Sequence, residues 1–234
     1  AFDQKHTSGY YAKRLPRPDA KGTWLGRDDQ PVVRVSHNEA KAFCDWLAGR
    51  SGVPVDLPTE TQWKAAAGAG SGKAFWFGDR STDFAKRENL ADVTFGHGVI
   101  KPSKVHPADV TQASGGVPHL VLEGAARSHR RFNDGVSVTA PVAGYRPNPL
   151  GLFDVHGNAA EWVLIDRRSG NDDPPVGVAL GGSFFDPADD SHVNARREYP
   201  IWQRVFNVGF RIVVNDDDLK PTGEQKVVRH VETH

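Results

Sequence analysis

The sequence lacks several features that would place it in a broad class at once. It has one cysteine, Cys44, so it cannot form an intrachain disulfide, which excludes a small disulfide-stapled domain. Its 29 basic and 29 acidic residues leave no net charge to attract it to nucleic acid or to an anionic membrane. No apolar run approaches the roughly 20 residues that cross a bilayer. We therefore expect no nucleic-acid partner and no membrane insertion.

The composition indicates a globular but irregular domain. The chain has 24 glycines and 16 prolines, with a mean hydropathy of -0.51, which is typical of a loop-rich protein. Six tryptophans and twelve phenylalanines supply the material for an aromatic core. Methionine is absent, so we expect the natural chain to begin upstream of Ala1.

Two helices and a few short strands are predicted from local patterns. Ser36 and Glu39 form a capping box at the start of one helix, and Thr59 and Gln62 do the same for a second helix. Apolar residues at helical spacing form the packing face of the first helix. Short strands are expected at residues 31–35, 176–180 and 208–214.

Residues 96–135 are the least patterned part of the chain, and a long loop or insertion fits them best. Four histidines are scattered there: His97, His106, His119 and His129. They lack the short, fixed spacings of a zinc site, so ordinary loop histidines are favoured over metal ligands.

Three phrases in the second half of the chain are its most informative motifs. Residues 151–162 read GLFDVHGNAAEW, residues 181–185 read GGSFF and residues 208–211 read VGFR. The first half adds PVVRVS at residues 31–36, AFCDWL at 42–47 and LPTETQW at 57–63. Together, in this order, the phrases resemble the formylglycine-generating enzyme (sulfatase-modifying factor) family.

The resemblance implies a single α+β domain with little regular secondary structure, related to C-type lectins. This domain would span residues 1–214, followed by a charged tail at residues 215–234. The family's usual first strands have no counterpart here. We therefore expect an N-terminal segment, or a companion chain, to supply the missing strands.

The resemblance also implies calcium as a cofactor. Calcium takes six to eight oxygen ligands, which a turn with spaced carboxylates and carbonyls supplies. Matching the family's motifs assigns the ligands to Asp154, Gly157, Ala159 and Glu161 at one site, and to Asn89, Leu90, Asp134 and Val136 at another. The residues alone favour a different interpretation, in which Asp154 caps a turn and Glu161 lies on a solvated strand face.

Members of the family that make formylglycine use two cysteines that hold copper, and Asp186 and Ser191 stand at the corresponding positions here. Cys44 is no substitute, because its position on the first helix predicts a buried, inert thiol. The acidic and imidazole side chains near these positions could hold a divalent ion, although a solvated acidic loop is favoured. They are Asp186, Asp189, Asp190 and His192.

Three functions remain open at this point. The first is a calcium-stabilised accessory domain that binds a protein or a glycan through residues 183–207, whose aromatic residues are Phe184, Phe185, Tyr199 and Trp202. The second is an iron- or copper-dependent oxidase or hydroxylase that uses the acidic cluster. The third is a structural subunit of an assembly. Calcium use favours an extracellular or periplasmic location, where the ion is abundant.

Overall fold

The computed structural model describes residues 28–92, 132–136, 138–164 and 175–214. The elements in chain order are α1 (His37–Ser51), β1 (Val55–Asp56), α2 (Glu60–Gly68), β2 (Ala160–Val163), β3 (Val176–Leu180), a 3-10 helix (Ala188–Asp190), β4 (Arg196–Pro200), β5 (Val208–Phe210) and β6 (Val213–Val214). Few residues lie in these elements, so the fold is α+β with little regular structure, as the sequence predicts. The predictions for residues 1–27, for the four scattered histidines and for the tail lie outside the described residues.

Both helices begin at the capping boxes that the sequence predicts. The Ser36 hydroxyl accepts a hydrogen bond from the Glu39 backbone N–H, while the Glu39 carboxylate accepts one from the Ser36 backbone N–H. Thr59 and Gln62 make the same reciprocal pair at α2. Each box satisfies backbone donors that the first helical turn leaves without partners. Gly52 ends α1 in the left-handed conformation, with φ of 70°.

The main sheet lies between the two helices. Its strand order is β4-β3-β2-β5, with β2 and β5 parallel and the other pairs antiparallel. Side chains alternate along β2, so Ala160 and Trp162 pack in the cluster that includes α1, while Val163 packs in the cluster that includes Trp63 of α2. Because both faces are covered, all four residues of β2 are buried.

Two strand predictions need correction. Residues 31–35 form no strand, because Arg34 adopts a φ of 61°, which interrupts an extended ladder. The run at residues 208–214 divides into β5 and β6, which pair with β2 and β1 in different sheets. The link between them contains Arg211, whose side chain contacts Glu161.

A third apolar cluster packs around residues 75–90. Phe75, Phe84, Leu90, Phe132 and Ala188 form its buried part. Phe77 packs against this cluster as a partly buried residue. Within the described residues, no helix has the length and apolar character needed to span a bilayer.

Glu39 also ties α1 to the loop after β4, through hydrogen bonds from Arg204. Partial burial raises the pKa of Glu39, but hydrogen bonds from Arg204 and Ser36 outweigh burial and lower it to about 2. A carboxyl whose pKa falls on folding stabilises the folded state above its unfolded pKa of 4.5, and that contribution is lost as the pH falls toward 2.

We predict that Glu39→Gln lowers the free energy of unfolding by about 0.5–1 kcal/mol at pH 7, because the ion pair is partly exposed. The difference from the unsubstituted chain should shrink between pH 4.5 and 2, as the wild-type carboxylate takes up a proton. Urea unfolding at several pH values measures both effects. Asp45→Asn, on an exposed part of the same helix, is the control. An unchanged difference at pH 2 would contradict the prediction.

Candidate functional site

The turn at residues 154–158 is built on left-handed backbone conformations. Asp154, Gly157 and Asn158 have φ values of 52°, 76° and 57°. A Cβ atom on Gly157 would overlap the backbone oxygen of Asn89, so only glycine fits there. The Asn158 backbone N–H donates to this same Asn89 oxygen at 2.7 Å. The two segments that the sequence assigns to calcium are therefore in direct contact.

Glu161 projects from β2 toward α2 and is 8% exposed. Its Oε2 accepts hydrogen bonds from Trp63 Nε1 at 2.7 Å and from Arg211 Nε at 2.5 Å, and its Oε1 accepts one from Arg211 Nη2 at 2.6 Å. The interpretation in which Glu161 lies on a solvated face is wrong. Two hydrogen bonds saturate Oε2, whereas Oε1 keeps one lone pair for a further partner.

Asp154 lies beside this pair with one oxygen unsatisfied. Its Oδ2 accepts a hydrogen bond from the Ala143 backbone N–H at 2.7 Å. Its Oδ1 is buried and has no hydrogen-bond partner. Burial raises the pKa of Asp154, and the charge of Glu161 adds to this, while Arg211 opposes it. A buried carboxylate oxygen without a partner is costly unless a cation is present.

The other predicted site has the same property. Asn89 is fully buried, and its Nδ2 donates to the Val138 carbonyl at 2.7 Å, which leaves Oδ1 without a partner. The Asp134 Oδ1 accepts from the Val136 backbone N–H at 2.7 Å, while its Oδ2 is buried without a partner. Burial, followed by the neighbouring Asp92 carboxylate, raises the pKa of Asp134 to about 8.

The donor set at both sites fits a calcium ion. Among the predicted ligand residues, the atoms left without partners are carboxylate and amide oxygens, which are the ligands that calcium prefers. At the site of Asn89 and Asp134, which we call the first site, they are Asn89 Oδ1 and Asp134 Oδ2. At the site of Asp154 and Glu161, which we call the second site, they are Asp154 Oδ1 and the remaining lone pair of Glu161 Oε1. A bound calcium ion would supply the positive charge that these buried oxygens need.

Two further groups near these sites escaped the sequence analysis. Glu88 is 1% exposed, and its Oε2 also lacks a hydrogen-bond partner. Burial raises the pKa of Tyr145, and the charges of Asp134, Asp154, Asp92 and Glu88 add to the rise. The phenol of Tyr145 thus lies within the electrostatic reach of carboxylates from both sites. No periodic pattern marks Glu88, because it precedes Asn89 in an irregular segment.

At the positions expected for the copper cysteines, the structure has a hydrogen-bond network. Asp186 is 4% exposed, and its Oδ2 accepts from the Ser183 hydroxyl at 2.6 Å. Its Oδ1 accepts from Arg197 Nη2 at 2.9 Å. Asn207 Nδ2 donates to the Ser183 oxygen at 2.7 Å. Burial raises the pKa of Asp186, while the positive charge of Arg197 opposes that rise.

Ser191, at the other position, is also inaccessible. It is 0% exposed, and its hydroxyl donates to the Pro187 carbonyl at 3.0 Å. Its own carbonyl accepts a hydrogen bond from His156 Nδ1 at 3.0 Å. Burial lowers the pKa of His156 to about 3, so this imidazole is neutral. Neither position presents a thiol or a free polar group to solvent.

The acidic cluster around these positions is divided among different partners. Arg197, which pairs with Asp186, also pairs with Asp190 at 3.1 Å. Asp189 instead pairs with Arg80 at 2.8 Å. His192 lines an open cleft of about 660 Å³, together with Lys73 and Arg80. Within the part of the chain that the structure describes, no three His, Cys, Asp or Glu side chains come together as a metal-binding group.

The prediction that four aromatic residues within residues 183–207 form a binding surface needs correction. Phe184 and Phe185 are 1% and 6% exposed, because they pack against Phe206 inside the fold. Tyr199 is half-buried, with an edge-on contact to Trp162. Trp202 alone of the four aromatic residues is fully on the surface, with 72% exposure.

The prediction that Cys44 is buried is confirmed, since the side chain is 0% exposed. Burial raises the pKa of its thiol to about 11, which favours the protonated form.

Residues 5–216 match the family described as the sulfatase-modifying factor enzyme 1-like domain. The chain belongs to this family. It is 32% identical to a formylglycine-generating enzyme from Streptomyces coelicolor, over 87% of this chain and 58% of that protein. It is 29% identical to an inactive Cα-formylglycine-generating enzyme 2 from Bos taurus, over 69% of this chain and 40% of that protein. The chain thus spans about half the length of these curated relatives.

The fold is shared with solved structures of more distant proteins. PvdO from Pseudomonas aeruginosa aligns with a TM-score of 0.55 and 21% identity, over 89% of this chain and 77% of that one. The family and the α+β fold expected from the sequence are therefore confirmed. What the formylglycine-generating enzyme domain does in this chain depends on the residues at its sites.

We predict that Arg197→Met lowers the free energy of unfolding by about 3 kcal/mol, because it leaves the buried Asp186 carboxylate without its cation. Adding Asp186→Asn should restore much of that loss, since an amide needs no counter-charge. Arg196→Met, on an exposed neighbour in β4, is the control and should change stability by about 0.5 kcal/mol or less. Chemical unfolding of the four proteins gives these values. A double variant that is no more stable than Arg197→Met would contradict the prediction.

Proposed function

We propose that this chain is a calcium-binding member of the formylglycine-generating enzyme family that does not oxidise cysteine and acts as a binding or accessory protein. The network at Asp186 carries this proposal. A copper site of the family's type needs two thiolates, and the chain has a single cysteine, Cys44, which is buried on α1. Carboxylate and hydroxyl groups stand at the expected positions, and both are bonded inside the protein.

The similarity to a relative described as inactive supports the loss of oxidation. The alternative oxidase, built on the acidic cluster, is not favoured by the geometry, because Arg80 and Arg197 already neutralise Asp189, Asp186 and Asp190. An iron or copper ion there would have to displace these arginines. A calcium ion at the other sites displaces nothing, since it would meet oxygens that have no partner.

Trp202 supports a role in binding. It is 72% exposed on a turn whose backbone is held in place. The Ile201 carbonyl accepts a hydrogen bond from the Asn38 backbone N–H at 3.2 Å, and the Val205 carbonyl accepts one from the Arg34 N–H at 3.1 Å. Arg204, between them, pairs with Glu39 of α1. A rigidly held, exposed tryptophan loses little entropy when a protein or glycan packs on it.

Metal analysis is the first test of the proposal. We predict that the purified chain holds calcium and neither copper nor iron in stoichiometric amount. After removal of metal with EDTA, calcium at 100 times its dissociation constant should raise the free energy of unfolding by about 2.7 kcal/mol per site. Asp154→Asn and Asp134→Asn should reduce this gain, whereas Asp79→Asn, on an exposed turn, should not.

The same preparation tests the absence of oxidation. Loaded with Cu(I) and given a cysteine-containing sulfatase peptide in air-saturated buffer, where dioxygen is available as the oxidant, the chain should leave the peptide thiol unchanged. Stoichiometric iron or copper, or conversion of the peptide, would contradict the proposal and support the oxidase. A second polypeptide in native mass spectrometry would instead support a structural subunit.

The binding role is tested at Trp202. We predict that the chain retains at least one ligand on arrays of glycans and peptides, and that Trp202→Ala weakens that binding by tenfold or more. Thermal unfolding should change little, because the side chain is mostly exposed. Trp46→Ala, which removes another exposed tryptophan on α1, should leave the binding intact. A chain that binds nothing, or equal binding by both variants, would contradict a role for this surface.

A further inference from the structure

We propose that the open cleft between residues 72–81 and 192–194 binds a small ligand through an oxyanion, which is a carboxylate, sulfate or phosphate group. The cleft has a volume of about 660 Å³, which lies in the range of small-molecule sites. Its described lining includes neither Trp202 nor any residue assigned to calcium, so the inference goes beyond the proposed function. The hydrogen-bond donors of the lining carry it.

Two segments of the chain form the walls of the cleft, and direct contacts tie them together. The Val193 backbone N–H donates to the Ala74 carbonyl at 2.8 Å. Arg80, from the first segment, also pairs with Asp189, which lies three residues before His192, at 2.8 Å. The walls are therefore held in place before a ligand arrives, which reduces the entropy that binding costs.

Side chains with nitrogen donors line the cleft from both walls. Lys73 is exposed, and its ammonium group has no partner among the described residues. Asp189 contacts Nε of Arg80, which leaves further N–H groups of the guanidinium for a ligand. His192 Nδ1 accepts a hydrogen bond from the Asn194 backbone N–H at 3.1 Å, so the imidazole carries its proton on Nε2. All three groups donate hydrogen bonds, as an oxyanion requires.

The same lining disfavours other kinds of ligand. Its ammonium and guanidinium groups repel a metal ion, and its described residues offer no large apolar side chain on which an apolar molecule could pack.

Asp79 is the one carboxylate among the described residues that line the cleft. Hydrogen bonds from Ser81 lower its pKa, and the charge of Lys73 adds to this, so Asp79 is ionised. Its Oδ1 accepts from the Ser81 backbone N–H at 2.9 Å and from the Ser81 hydroxyl at 2.5 Å. Asp79 thus holds the turn that carries Arg80, while its charge opposes the binding of an anion.

Isothermal titration calorimetry at low ionic strength tests the proposal, with sodium sulfate, methyl phosphate and sodium acetate as separate probes. The unsubstituted chain should bind at least one of them with one anion per chain, and the probe that binds most tightly identifies the class of oxyanion. Lys73→Gln should weaken this binding about tenfold, because a charge-assisted hydrogen bond is lost. Lys86→Gln, which removes an exposed positive charge outside the cleft, is the matched control and should keep the affinity.

Asp79→Asn should act in the opposite direction. The amide keeps the turn and removes the charge that opposes the anion, so affinity should rise about fivefold. Thermal unfolding of the Lys73 variant should be unchanged, since this side chain is exposed. Trp202→Ala should keep the affinity, which separates the cleft from the binding surface proposed above.

Several results would overturn the proposal. An unsubstituted chain that binds none of the three anions refutes the site. Equal weakening by Lys73→Gln and Lys86→Gln would show attraction to the surface as a whole, and loss of binding in Trp202→Ala would assign the anion to the other surface. Unchanged or weaker binding by Asp79→Asn would also contradict it. None of these results bears on calcium binding, which metal analysis tests separately.

Discussion

The buried carboxylate of Glu161 connects the parts of this fold that regular structure does not join. It receives hydrogen bonds from Trp63 of α2 and from Arg211, in the link between β5 and β6. Arg211 in turn donates to the Phe153 carbonyl, just before the turn at residues 154–158. The cost of burying both charges is offset only while this geometry is complete. The helix, the strands and the turn are therefore positioned together, although few backbone ladders connect them.

The same arrangement leaves other buried carboxylates without a neutralising partner. Arg211 neutralises one carboxylate, but Asp154, Asp134 and Glu88 each keep a buried oxygen without a partner. The backbone N–H of Ala143 satisfies one oxygen of Asp154, and that of Val136 satisfies one oxygen of Asp134. The other oxygen of each carboxylate receives no such hydrogen bond. A buried polar group without a partner calls for an explanation, and a bound ion is one such explanation. A calcium ion fits the donor chemistry of the predicted ligands, since the orphaned acceptors of Asn89, Asp134 and Asp154 are all oxygens.

The sequence predicts the helices well because their signals are local. Capping boxes at Ser36 and Thr59 involve residues three positions apart, and both occur as predicted. The motif phrases identify the family and the fold, whereas the surface of the candidate binding region was predicted poorly. Phe184 and Phe185 are buried because a distant residue, Phe206, packs on them, and Glu161 is buried because β2 is covered on both faces. Contacts of this kind leave no periodic signal in a loop-rich chain.

The glycine-glycine-serine phrase shows why the motifs identify the fold without fixing the activity. Gly181 and Gly182 have φ values of 86° and 67°, and a Cβ atom on either would collide with neighbouring atoms, those of Trp63 at the first and Ser191 at the second. Ser183 donates to Asp186 and so supports the hydrogen-bond network around that carboxylate, at a position where the family resemblance implies a copper cysteine. The phrase is thus required for packing whichever side chains follow it. Substitutions at residues 186 and 191 can remove a reaction while the backbone that carried it stays in place.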